Sequence, residues 1–199
     1  MKHLYCKSIL FVLALTIMSC GVKAQQSFYM AEHTGQSIHY TIIPKKNHEV
    51  KIVKDFLSNM NYILLRNEVR LTPKVEYKGE VYQVTTIDKK AFEEVSSLKE
   101  IVITSGITTI DKEAFKNCKK LKKITMYGVE SIADKAFTGC ESLNSVVLFT
   151  LIPPTMGKEV FDKDCKATLY VPDKALQEYK NSPWADYFTS IYGTSKLGY

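Results

Sequence analysis

Three side-chain types in this chain sit at spacings that invite chemistry. Cys118, Cys140 and Cys165 follow one another at intervals of 22 and 25 residues, and thiols serve as nucleophiles, metal ligands or disulfide partners. His33, His39 and His48 gather in the N-terminal third, with no carboxylate or cysteine at a familiar metal-ligand spacing. Lys112, Lys116, Lys119, Lys120, Lys122 and Lys123 form the densest basic run, which would suit an acidic glycan or an anionic lipid surface if it gathered on one face. Glu113, Glu130 and Glu141 lie close enough in the sequence to dilute it. No H-E-x-x-H, C-x-x-C, G-x-S-x-G, phosphate loop or dinucleotide fingerprint occurs. The sequence therefore reads as non-enzymatic, with no catalytic residue, cofactor or metal site expected.

The elements that would position these groups begin with a leader. Lys2 and Lys7 provide a positive start and Ser8 to Met18 an uncharged, mostly apolar run too short to span a bilayer, so residues 1–24 read as an export signal. Two cleavage readings stand side by side. Ile17-Met18-Ser19-Cys20 resembles a lipobox, which would end the signal at residue 19 and acylate Cys20, whereas Val22-Lys23-Ala24 before Gln25 suits ordinary signal peptidase. Either places the mature chain outside the cytoplasm, at the cell surface or outer membrane, secreted, or in the periplasm. A lipid on Cys20 would be its membrane contact. The formal charge of +6, of which Lys2 and Lys7 contribute two, is too dilute for a nucleic-acid stripe, and export argues against that role as well.

Aligned on itself, the chain repeats. Ala91-Phe92, Ala114-Phe115, Ala136-Phe137 and Val160-Phe161 recur at intervals of 23, 22 and 24 residues, a solenoid period. Ile87, Ile110 and Ile132 precede each Phe by five residues, Leu98, Leu121 and Leu143 follow it by six, and Val95, Cys118 and Cys140 share the column three after it. A column that takes Val in one repeat is a buried apolar column, so the two cysteines read as small hydrophobes. Stacked neighbours would also present parallel Cβ directions, a poor geometry for a disulfide. Ile101 and Ile103, Ile124 and Met126, and Val146 and Leu148 alternate as short strands with one buried face. Each repeat is thus a strand, a turn and a tight Ala-Phe segment of about one helical turn. Repeats of this size need their neighbours to bury such columns, so the fold class is α/β or mainly β, a short solenoid of 22–24-residue repeats over residues 84–172.

The runs VTTIDKKAF, DKEAFKNCKKLKKI and ADKAFTGCESLNSV resemble the BspA-like, or treponemal-type, leucine-rich-repeat family. Leu71 to Ile87 is similar to that family's strand-rich leading segment and Thr168 to Trp184 to its closing cap. The resemblance implies a leucine-rich-repeat solenoid and a surface or secreted protein with a binding or adhesive role.

Caps complete the expected layout. Residues 25–83 read as an N-terminal β cap, with Lys78-Gly79 as a hairpin turn and KDFLSNMNYILL (54–65) as strand or short helix. Residues 173–199 read as a C-terminal helical cap, with Leu176 and Tyr179 on one helix face and Trp184 and Phe188 sealing the last repeat. If the inward residues of each strand are fixed by the core, Val102, Thr125 and Val147 must face outward, with Tyr127 and Phe149 extending the row. That row is the expected binding surface for a protein or glycan ligand. An accessory subunit of a larger envelope assembly is the alternative, marked by one large apolar patch.

Overall fold

The computed structural model describes residues 27–31, 37–46, 48–54, 67–163 and 165–198. The leader with Cys20, His33, and residues 55–65 of the strand-or-helix segment lie outside them.

The leading strands are β1 (Ser27–Ala31), β2 (Ser37–Ile42), β3 (Glu49–Ile52), β4 (Glu68–Leu71), β5 (Lys74–Tyr77) and β6 (Glu80–Ile87). Lys78 and Gly79 join β5 to β6 with φ of 53° and 80°, the paired left-handed residues that a two-residue hairpin requires. The repeats contribute β7 (Glu100–Ile103), β9 (Lys123–Met126) and β11 (Ser145–Leu148), each followed by a two-residue strand, β8 (Thr109–Ile110), β10 (Ser131–Ile132) and β12 (Thr155–Met156). β13 (Thr168–Val171), α1 (Leu176–Lys180) and β14 (Ile191–Gly193) close the chain, with a 3-10 turn at Asp173–Ala175 leading into α1.

These strands make two sheets. The first runs β1-β2-β3-β6-β8-β10-β12, with β5 paired to β6. The second runs β14-β13-β11-β9-β7-β4, and every pair in it is parallel. β4, from the leading segment, and β14, from the closing segment, thus extend the sheet of repeat strands at its two ends. The result is a mainly β leucine-rich-repeat solenoid with a short C-terminal helix.

The third side of the coil is not helical. Lys90, Glu113, Lys135 and Glu159, each just before the Ala or Val of the repeat, have φ between 53° and 60°, and Glu94, Asn117 and Gly139, two after the Phe, are also left-handed. Right-handed helix cannot propagate through such residues. The amide N–H groups instead alternate between bonds within a rung and bonds to the next. Ala91 N donates to Asp88 O within its rung, while Lys90, Phe92 and Glu94 donate to Lys112, Ala114 and Lys116 of the next. The Ala-Phe segments are therefore zipped rung to rung, like a sheet edge.

The core fills the space between these sides. Phe92, Phe115, Phe137 and Phe161 stack with centroids 5.0, 5.1 and 5.2 Å apart and planes within 8° of parallel. Cys118 and Cys140 are buried free thiols, and each donates from Sγ to a carbonyl of the preceding rung, Phe92 O at 3.0 Å and Phe115 O at 3.3 Å. Val95 occupies this column in the rung where the Phe ladder starts, which explains why an apolar side chain serves there and thiols serve above it.

At the far end the cap continues the ladder with different geometry. Phe188 meets Phe161 edge-on at 5.0 Å, Trp184 lies 5.8 Å from the same ring, and Tyr179 and Trp184 are fully buried. Trp184 Nε1 donates to Pro154 O at 3.0 Å. Asp173 accepts from both the backbone N and the hydroxyl of Ser195, which holds its carboxyl below the ordinary value. The closing segment is thereby fastened to itself as well as to the last rung.

Candidate functional site

Side chains on the outer face of the second sheet fall into rows set by its parallel register. One row is Arg70, Val102, Thr125, Val147, Tyr170 and Tyr192. A second is Glu68, Glu100, Lys123, Ser145 and Thr168. Just past the strand ends, Tyr127 N donates to Ile103 O and Phe149 N to Met126 O, so the ladder carries on to the aromatic pair.

A groove of about 300 Å³ lies on this face, lined by Val102, Thr125, Tyr127, Val147 and Phe149 together with Glu68, Arg70, Glu100 and Lys123. All five residues expected from the strand alternation therefore meet in one depression. Tyr127 and Phe149 stack with centroids 4.6 Å apart and planes 3° from parallel, and remain 40% and 39% exposed.

One part of the expectation needs correcting. Thr125 and Val147 face away from the core but are not open to solvent, being 9% and 1% exposed, and Val102 is half-buried. Strands about 4.8 Å apart leave a short β-branched side chain little access when bulkier ones flank it. Thr125 and Tyr170 stand beside Val147 on the neighbouring strands, and Phe149 follows it two residues on. These three residues are the floor of the groove, and the aromatics are its exposed wall. Tyr170, inside the expected repeats, and Tyr192, inside the expected cap, continue the floor row. Their signal was available in the alternation TLYV, where Leu169 and Val171 are buried and Tyr170 is not.

Among the described residues, the reactive groups noted from the sequence do not assemble. Burial pushes the Cys118 thiol up to about 12 and raises Cys140 and Cys165 as well, away from the thiolate form that nucleophilic or ligand chemistry uses. Cys140 and Cys165 line a separate cavity of about 180 Å³ beside Asp162. His39 sits half-buried on β2, and His48 lies 3.7 Å from Glu80 with its ring against Tyr82. Among the described residues no three His, Cys, Asp or Glu side chains form a metal-holding group.

The lysine run is divided by the coil. Lys116 pairs with Glu113 and Lys119 with Glu141 on the turn side, while Lys123 enters the groove. The turn side is a lattice of ion pairs, Lys54 and Lys90 to Glu93 and Lys90 to Glu113. Burial alone would raise the Glu93 carboxyl, but hydrogen bonds from Lys90 and Lys54 outweigh it and hold the group below its ordinary value.

Residues 79–182 match six copies of the BspA type leucine rich repeat region. No curated protein matches the chain. A leucine rich repeat protein of T. pallidum shares the fold at a TM-score of 0.53 and 20% identity, over 80% of this chain and 63% of its own. One from Bacteroides ovatus does so at 0.53 and 26%, over 78% and 39%, and one from Bacteroides capillosus at 0.52 and 16%, over 78% and 93%. The chain thus spans less than two thirds of the T. pallidum and B. ovatus proteins. With six repeat copies matched over more than half of its residues, and four rungs stacked on a common Phe ladder, the chain belongs to the BspA-type leucine-rich-repeat family.

Proposed function

We propose that this chain is an exported, non-enzymatic binding or adhesion module of the cell envelope, which recognises a protein or glycan through the outer face of the repeat strands. The observation that carries this reading is the Tyr127–Phe149 stack standing exposed beside a covered floor of Val102, Thr125 and Val147. Aromatic side chains bury large areas at little rotamer cost, and they dominate interface energetics from such positions. Thiols covered by the core at Cys118 and Cys140, and histidines that join no cluster among the described residues, favour a binding role over a catalytic one.

The test is Tyr127→Ala combined with Phe149→Ala, screened with the parent against envelope proteins, host-matrix proteins and a glycan array. Every ligand of the parent should lose detectable binding to the variant, while the fold loses about 2–5 kcal/mol, the pair contact together with the burial of three fifths of each side chain. Undiminished binding by the folded variant would reject the strand-face reading.

Export and anchoring are separate parts of the proposal. Cys20→Ala should release the chain from the membrane fraction if Cys20 is acylated, whereas an unaltered soluble chain beginning at Gln25 selects ordinary cleavage. The second reading, an accessory subunit of an envelope assembly, draws support from the exposure of Phe149, Leu151 and Ile152 within four residues of chain. It requires one partner that co-purifies in fixed proportion.

A further inference from the structure

Six large hydrophobic side chains are exposed among the described residues, four of them being Tyr127 and Phe149, which stack on each other, and Leu151 and Ile152, which follow Phe149 by two and three residues and are 60% and 81% exposed. Leu151 and Ile152 lie in the loop between β11 and β12. The corresponding loops of the two preceding repeats turn Ile107 and Val129 fully inward. Outward aliphatic residues are therefore peculiar to this rung.

The loop is also held in place from below. The Tyr179 hydroxyl contacts the Thr150 hydroxyl at 2.7 Å and donates to Thr150 O at 3.1 Å, and Trp184 Nε1 donates to Pro154 O, a buried contact. Two prolines, Pro153 and Pro154, restrict the backbone between these fastenings. Leu151 and Ile152 project from a segment tied at both ends, so ordering them against a partner costs little additional entropy.

The other end of the groove differs in kind. Arg70, Glu100 and Lys123 enter no ion pair among the described residues, although Glu100 and Lys123 are register partners on adjacent strands. On the turn side, by contrast, lysines and glutamates pair extensively. Two carboxylates, Glu68 and Glu100, and two cations, Arg70 and Lys123, share the groove, so its formal charge cancels. A polyanionic glycan or an anionic membrane would meet both carboxylates. A neutral glycan would need open ring faces to stack on, and Tyr127 and Phe149 spend one face each on the other.

The geometry points to an extended polypeptide as the ligand, with an apolar side chain seated on Tyr127, Phe149, Leu151 and Ile152 and residues of both charges meeting Arg70, Glu100 and Lys123. It rests on the strand-face reading and narrows it. The four strands from β4 to β11 span about 14 Å at ~4.8 Å spacing, the reach of about four extended residues. A short linear segment therefore covers both halves.

The probe is a displayed library of random peptides about 12 residues long, panned on the full chain. Enriched sequences should combine a large apolar residue with an acidic and a basic residue within about four positions. A synthetic enriched peptide should bind Leu151→Ser with Ile152→Ser roughly 30-fold or more weakly, as expected for a hot-spot pair. Glu100→Lys should weaken it about 10-fold, and a peptide whose basic residue is changed to Glu should recover on that variant. Enriched peptides that lose binding with Tyr127→Ala but ignore Leu151, Ile152 and Glu100 would overturn the inference and leave the strand-face reading intact. So would a glycan-array ligand lost with Tyr127→Ala, or Ile152-dependent binding to vesicles of phosphatidylcholine with or without phosphatidylserine in place of peptide. Absence of any enriched peptide overturns it outright. Peptides indifferent to Tyr127→Ala and Phe149→Ala as well would reject both readings.

Discussion

Replacing Phe115 by alanine is expected to destabilise the fold by about 3–5 kcal/mol, the range for a large aromatic removed from a packed core. Phe115 is fully buried and stacks on Phe92 at 5.0 Å and on Phe137 at 5.1 Å. Its loss therefore leaves a gap between two rings that cannot close up, because backbone bonds such as Phe115 N to Ala136 O hold the rung spacing. A solenoid gains its stability from interfaces between neighbouring repeats, and this substitution weakens two of them. At roughly 2–4 °C per kcal/mol for a domain of this size, the melting temperature should fall by about 6–20 °C. Thermal melts followed by circular dichroism measure it. A variant melting within a degree or two of the parent would show that the ladder is not a main source of stability.

Trp184→Ala should be at least as damaging, for a different reason. The indole closes the open end of the ladder, packing on Phe161, Tyr179 and Phe188 with no exposed surface. Truncation costs about 3–5 kcal/mol in packing, and the Pro154 carbonyl loses its partner in a buried setting, which adds about 1–3 kcal/mol. Trp184→Phe separates the two contributions, since it keeps most of the ring and removes the donor. Chemical denaturation of both variants should place Trp184→Phe between the parent and Trp184→Ala. Equal losses in the two would mean that the hydrogen bond, rather than ring packing, holds the cap.

The double aromatic substitution on the outer face contrasts with both. Tyr127 and Phe149 stack as closely as any ladder pair, yet with two fifths of each side chain in solvent. Similar ring geometry inside and outside the coil thus serves stability in one place and, under the proposed function, recognition in the other.

The division between what could be read from the residues and what could not follows from the range of the interactions. A repeat of 22–24 residues writes its buried columns directly into the sequence, because every rung must offer the same apolar positions to its neighbours. The Phe ladder, the Ile and Leu columns, the apolar setting of Cys118 and Cys140, and the sealing role of Trp184 were all legible for that reason. So was the outward direction of Val102, Thr125 and Val147, since strand alternation leaves no other choice. What alternation does not specify is exposure. Tyr170 beside Val147 helps make the valine floor rather than surface, and that neighbour is set by the register of β13 on β11. Arg70 and Tyr192 join the same row only because β4 and β14 pair in parallel with repeat strands from positions far away in the chain. The left-handed residues flanking each Ala-Phe pair were equally hidden. They are mostly Lys and Glu rather than Gly, and only the bonds to the next rung hold them in that conformation. Sequence by itself determined the repeat and its core, because short-range periodicity encodes burial. Tertiary structure alone decided which outward residues share a groove, which charges stay unpaired there and which loop presents Leu151 and Ile152, because those depend on register between rungs and on the bulk of side chains distant in the chain.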